Sequence, residues 1–119
     1  MFSYNFEKLD VWKISLQVIR EVKKIIKKFP LEEKYVLSDQ IRRAALSIAL
    51  NIAEGWGRKT KKDFSRFISN AIGSCLEVIA SLKVAIDSDY LKEDEIKNLD
   101  ESLKELYFKL LKFNTYLNK

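Results

Sequence analysis

Apolar residues recur at helical three-and-four spacing along nearly the whole chain, and the interruptions divide it into four segments. The first covers residues 8–29. It carries two apolar rows, Leu9, Trp12, Leu16, Ile19 and Ile26 beside Val11, Ile14, Val18, Val22, Ile25 and Phe29, which together make a broad apolar face. Pro30 is expected to end this helix, because the residue before proline is pushed out of the α region. A short turn is expected over residues 31–37. Ser38 is a candidate cap for a second helix over 39–54, with Gly55 and Gly57 supplying left-handed or open backbone at its exit. That helix is apolar almost all round (Ile41, Ala44, Ala45, Ile48, Ala49, Leu50, Ile52, Ala53) and should lie centrally.

Thr60 followed by Asp63 resembles a capping box and predicts a third helix over 61–86. Its core row runs Phe64, Phe67 or Ile68, Ala71, Cys75, Val78 or Ile79, Leu82 and Ile86, and Asp87-Ser88-Asp89 ends it. The fourth helix is expected to start near Glu93 and to bury Ile96, Leu99, Leu103, Leu106, Leu110, Phe113 and Leu117, the seam of a bundle helix. Short connections make consecutive helices antiparallel. The expectation is an all-α, up-and-down four-helix bundle in which residues 1–119 form one domain.

Composition then removes most chemistry. Among 119 residues there is no histidine, so no Ser-His-Asp or Cys-His nucleophile, no His-ligated zinc and no Glu-x-x-His di-iron pair can be built. A helical ribonuclease that depends on an Arg…His motif is excluded for the same reason. No catalytic set, cofactor site, metal site or small-molecule substrate is expected, and the chain reads as a non-enzyme. Cys75 is alone, so an internal disulfide is impossible and a reducing compartment is natural. The opening residues lack the pattern of a signal peptide. The apolar stretch 44–53 is interrupted by Ser47 and Asn51 and is far too short for a bilayer. A cytoplasmic protein without a membrane partner is expected.

Charge is uneven. The formal net charge is +5, yet residues 1–30 carry seven basic against three acidic side chains, and residues 58–68 carry five against one. Arg58, Lys59, Lys61, Lys62 and Arg66 are the first candidates for phosphate contacts; Arg20, Lys24, Lys27 and Lys28, on one face of the first helix, are the second. A solvated surface is the competing reading of both groups. Two polar stripes also stand out: Arg43, Ser47, Asn51 and Glu54 on helix two, and Arg66, Asn70, Ser74, Glu77 and Ser81 on helix three. If they meet, Arg43 with Glu77 or Glu54 is a candidate buried pair, and the stripe would fix helix register or a contact between copies. Gly73 in mid-helix is either tolerated at a cost of about 1 kcal/mol or marks close approach of another backbone, which the small neighbours Ser74 and Cys75 favour. Trp56, between two glycines, could pack over the bundle end, sit at a subunit contact or stack on a base. The surplus of apolar residues on helices one and two suggests association into a homo-oligomer.

The run Gln40-Ile41-Arg42-Arg43-Ala44-Ala45-Leu46-Ser47-Ile48-Ala49-Leu50-Asn51-Ile52-Ala53-Glu54-Gly55-Trp56-Gly57-Arg58 resembles the signature of a known family, the small bacterial four-helix bundle proteins encoded in intervening sequences of 23S rRNA genes. Phe64, Phe67, Ala71, Gly73-Ser74 and Glu77 match a second part of that signature. The opening Phe6-Glu7-Lys8-Leu9 with Val11-Trp12, and Phe29-Pro30 with Glu32 and Glu33, resemble the family's start. Ala49-Leu50 departs from it, since many members carry proline and a small polar residue there. The resemblance implies a ring-shaped homopentamer, no established enzyme activity, and nucleic acid (RNA or DNA) as a partner. A protein-interaction scaffold serving another protein, such as a polymerase, is the alternative.

Overall fold

The computed structural model describes residues 1–33 and 36–119. Four α-helices make up its body: α1 (Asp10–Ile26), α2 (Leu37–Trp56), α3 (Lys61–Asp87) and α4 (Lys97–Leu117). Each packs on the next, and α4 closes back on α1. Cross-links between helices fix the direction of each pair. Ser47 Oγ lies 2.9 Å from Ser74 Oγ, Gln40 bonds Glu77 and Gly55 abuts Phe64, so α3 descends as α2 climbs. Ser65 Oγ donates to Asn114 at 2.6 Å, and Asp10 meets Lys109 at 2.9 Å. The bundle is therefore antiparallel and up-and-down, as the four periods predict.

The core is the sum of the predicted rows. Val18, Val22, Ile41, Ile48, Ile52, Ile68, Val78, Leu99, Leu103, Leu106 and Leu110 are all essentially inaccessible to solvent. By length and composition α3 could cross a membrane, but its apolar row from Phe67 to Ala85 is buried in this core. Burial also governs the lone thiol. Cys75 is fully buried, and desolvation of its thiolate raises its pKa to about 11, so it packs as a small inert hydrophobe.

The helix ends depart from expectation more than the helices do. α1 stops at Ile26 rather than 29, because Lys28 and Phe29 bond back to Ile25 and Ile26 in tight turns that swing Phe29 into the core. Residues 5–8 form a separate 3-10 turn, held by the Glu7 carboxylate accepting from the Tyr4 amide at 2.6 Å. Leu31–Glu33 is a further 3-10 turn, and the rest of the turn expected there includes residues 34 and 35, which lie outside the described residues. Ser38 does not cap α2. The helix begins two residues earlier than expected, at Leu37, whose side chain packs on the core, and Ser38 is buried in its first turn.

Gly55 and Gly57 adopt no left-handed backbone, and α2 continues through Gly55 and Trp56. Gly55 is required for space instead. A Cβ there would come within 2.8 Å of Phe64 Cδ1 and 2.9 Å of Phe67 Cβ. Gly73 is the reverse case, an exposed helical position with nothing within 4 Å of a built Cβ, so no backbone of this chain approaches it. Thr60 caps α3 as expected, its Oγ1 accepting from the Asp63 amide at 3.1 Å. Asp89, at φ 62°, takes the left-handed position after α3 and completes a six-to-one closure from the Tyr90 amide to the Ala85 carbonyl. Before α4, Glu93–Ile96 forms a 3-10 turn, so the α-helix itself starts four residues later than its acidic residues suggest.

Candidate functional site

Antiparallel packing decides which charges can act together. The start of α3, the exit of α2, the end of α4 and the start of α1 all gather at one end of the molecule, here the α2–α3 end. The end of α1 sits at the other, where Lys28 lies 3.3 Å from Glu95 ahead of α4. Lys27 and Lys28 are thus separated from the start of α3 by about the length of α4, roughly 30 Å for 21 residues, whereas Arg20 lies midway along α1.

At the α2–α3 end the geometry centres on Asp63 and Phe67. Arg66 places Nε and Nη2 at 3.1 and 3.0 Å from Asp63 Oδ1, while Arg58 Nε stands 3.9 Å from the other carboxylate oxygen. Both guanidinium groups also lie over the Phe67 ring, at 4.4 Å for Arg58 and 4.6 Å for Arg66. One carboxylate and one buried ring therefore orient two arginines but neutralise at most one charge. Lys61 Nζ sits 5.0 Å over the ring of Tyr116, near the end of α4. Lys59 and Lys62 are exposed and form no ion pair among the described residues.

Four aromatic rings run through these cations. Trp56, Phe64, Phe113 and Tyr116 follow one another at centroid steps of 6.3, 5.3 and 6.4 Å. The inner two are half-buried, whereas Trp56 and Tyr116 remain 42% and 53% exposed. Of the readings open for Trp56, packing over the bundle end accounts for one edge of its ring and leaves the rest in solvent. Phe64 lies within the basic run, whereas Phe113 and Tyr116 belong to α4. The place of Phe113 and Tyr116 beside the basic run follows from antiparallel register, which sets the last turns of α4 against the first of α3.

Half of the other cation group is paired. Lys24 bonds Glu21 at 3.4 Å, and Lys28 bonds Glu95, leaving Arg20 and Lys27 without acidic partners among the described residues. Lys27 and Lys28 lie past the last turn of α1, not on its helical face. Glu95 is itself held below the usual carboxylate range, first by accepting from the Lys92 amide and then by Lys28. Asp10 is lowered in the same way by Lys109, whose own pKa is raised.

The polar stripes meet only in part. Ser47 and Ser74 pair, and Asn51 Nδ2 donates to the Ser47 carbonyl at 2.9 Å and to its hydroxyl at 3.1 Å. The buried Arg43 pair does not form. Arg43, Glu54 and Glu77 are all exposed, and Glu77 takes Gln40 as its partner. Arg43 and Glu54, about three turns apart on α2, both lie at exposed positions, where water solvates the two charges. Around this small network α2 and α3 also expose Leu46, Leu50, Leu76 and Val84.

Fold and site together define a small antiparallel four-helix bundle with a cationic, aromatic end and no clustered His, Cys, Asp or Glu fit to hold a metal among the described residues. The chain belongs to the 23S rRNA-intervening sequence protein family, whose model matches residues 7–112. It is similar to a crystal structure of a protein of unknown function from the S23 ribosomal protein family of Bacteroides thetaiotaomicron, with a TM-score of 0.79 and 24% identity over 87% of this chain and 97% of that one. That likeness shows the fold alone. No curated protein matches the chain.

Proposed function

We propose that this protein is a non-enzymatic helical bundle that binds nucleic acid, RNA in the first place, through the α2–α3 end, and that it acts as a homo-oligomer. The observation that carries this reading is the gathering of Arg58, Lys59, Lys61, Lys62 and Arg66 at one end of the bundle, where Asp63 pairs with the two arginines and the three lysines form no ion pair among the described residues. Neutralising phosphates with such a cluster releases condensed counterions, which gives affinity without sequence readout. One patch of this size binds weakly, and repetition around an assembly would make it useful. The exposed leucines of α2 and α3, with the open surface at Gly73, offer an apolar face for contact between copies. The family's connection with 23S rRNA genes supports RNA as the first ligand to try.

Electrophoretic-mobility titration against structured RNA and duplex DNA at two salt concentrations tests this, on protein whose mass is measured by light scattering. Binding that weakens steeply with salt, by a particle heavier than one chain, is the expected result. A stable 14.0 kDa monomer sinks the oligomer, and no binding at low salt sinks the ligand class.

A protein scaffold is the second reading, and a specific groove favours it. Between the end of α3 and the start of α4 lies a cleft of about 660 Å³ with Ile79, Leu82, Ile86 and Leu103 on its floor and Asp87, Asp94 and Asp100 on its rim. A pulldown after nuclease treatment separates the readings: partners that persist favour the scaffold, and partners that vanish favour nucleic acid.

A further inference from the structure

We infer that the α2–α3 end binds single-stranded nucleic acid in preference to duplex, with bases stacking on Trp56 and Tyr116 while the flanking lysines hold the phosphates. The inference deepens the nucleic-acid reading above and rests on it. Its ground is the placement of rings among cations. A surface that binds only duplex backbone needs charge and shape, and large exposed aromatic rings add nothing to it. Unpaired strands are different, because every unstacked base has a π-face that an aromatic ring can cover, whatever the sequence.

Here the two outer rings of a four-ring row are exposed, and the two inner rings hold them in place by edge-to-face and tilted contacts. Rings fixed in advance lose little freedom when a base lands on them. Lys61 covers one face of Tyr116, where it can meet the phosphate of a base stacked on the other, and Lys59 and Lys62, three residues after Trp56 and two before Phe64, are exposed. At the far end of the bundle Phe29 is buried and faces Tyr90 at 6.5 Å, so those rings offer no such platform.

The test removes π-faces and keeps charge and bulk. Trp56→Leu with Tyr116→Leu is compared with the parent by fluorescence anisotropy, using a labelled pyrimidine single strand, RNA in one arm and DNA in the other, and duplexes of the same length. The parent should bind single strands more tightly than duplexes. The double variant should lose roughly tenfold per ring in single-strand affinity, with the slope of log K against log salt unchanged and duplex binding unaltered. Trp56→Phe and Tyr116→Phe, which keep a ring and guard against misfolding, should retain most of the affinity. In a Trp12→Phe background, single strands should also quench the remaining emission of Trp56. Duplex bound as tightly as single strand by the parent, or single-strand affinity unmoved in the double variant, overturns the inference while leaving nucleic-acid binding intact. A loss of particle mass in the double variant assigns the rings to a contact between copies and overturns it too. A parent that binds neither form removes the underlying reading as well.

Discussion

The two ends of this bundle carry basic residues in similar number but in opposite company. At the α2–α3 end Arg58 and Arg66 share the Asp63 carboxylate and rest on the ring of Phe67, while Lys59, Lys61 and Lys62 form no ion pair among the described residues. At the other end Lys28 is matched by Glu95, Lys24 by Glu21, and Asp87, Glu93 and Asp94 line the neighbouring cleft. A count of lysines and arginines along the chain ranks the two groups nearly equal. Their neighbours separate them, because a phosphate approaching the second group meets carboxylates at close range, where screening is least effective.

The largest expected effect breaks the first end. Reversing charge with Lys61→Glu and Lys62→Glu should weaken RNA binding by roughly tenfold per lysine at moderate salt and reduce the salt slope by about two. Mobility titration at several salt concentrations reads both quantities. Binding equal to the parent's at low and moderate salt would remove these residues from the interface.

Gly55→Ala probes what shapes that end. Alanine is the better helix former by about 1 kcal/mol, but its Cβ would meet Phe64 and Phe67 at under 3 Å. Forcing those rings aside costs typically about 1–3 kcal/mol, so a net loss of up to about 2 kcal/mol is expected in denaturant titration. Arg58 and Arg66 lie over Phe67, so the variant should also bind RNA somewhat less well than its stability alone explains. Gly73→Ala is the contrasting substitution. With nothing within 4 Å, the helix gain is unopposed, and a stabilisation of about 0.5–1 kcal/mol is expected, a rise of a few degrees in Tm. Light scattering should show the same particle mass. A lighter particle would mean that a neighbouring copy's backbone passes at Gly73.

These glycines also show how much was legible in the sequence. The four helical periods, the up-and-down arrangement, the Thr60 cap and the burial of Cys75 all follow from patterns within one helix or between successive ones, and the structure has them. Gly55 and Gly73 look alike as sequence, yet Gly55 is needed for two rings on α3 and Gly73 faces open space. Phe64 and Phe67 touch Gly55 only once the α2–α3 turn has folded, and no local rule contains that distance. The basic residues were legible as a list but not as a site. Dividing them between the two ends requires knowing that α1 finishes where α4 begins, and finding Tyr116 beside Lys61 requires the register of α4 against α3. Arg43 was misplaced for the same reason, since its stripe faces α3 at Ser47 and Asn51 but turns outward at Arg43 and Glu54.

The smallest expected effect is the most informative about assembly. Lys27→Glu with Lys28→Glu reverses as much charge as the α3 pair, but about 30 Å away, beyond several Debye lengths at physiological salt. Lys28 already stands against Glu95, so its reversal chiefly breaks an exposed pair worth at most about 1 kcal/mol to stability. RNA affinity should therefore change less than about threefold, a difference of roughly 0.6 kcal/mol that the mobility titration can bound. Distance protects binding only within one chain. In an oligomer, the end of α1 on one copy can come beside the start of α3 on another, and the second cation group would then join the same surface. A loss as large as that from Lys61 and Lys62 would demand such an arrangement. A negligible loss would leave the α2–α3 end as the only electrostatic footing for the ligand.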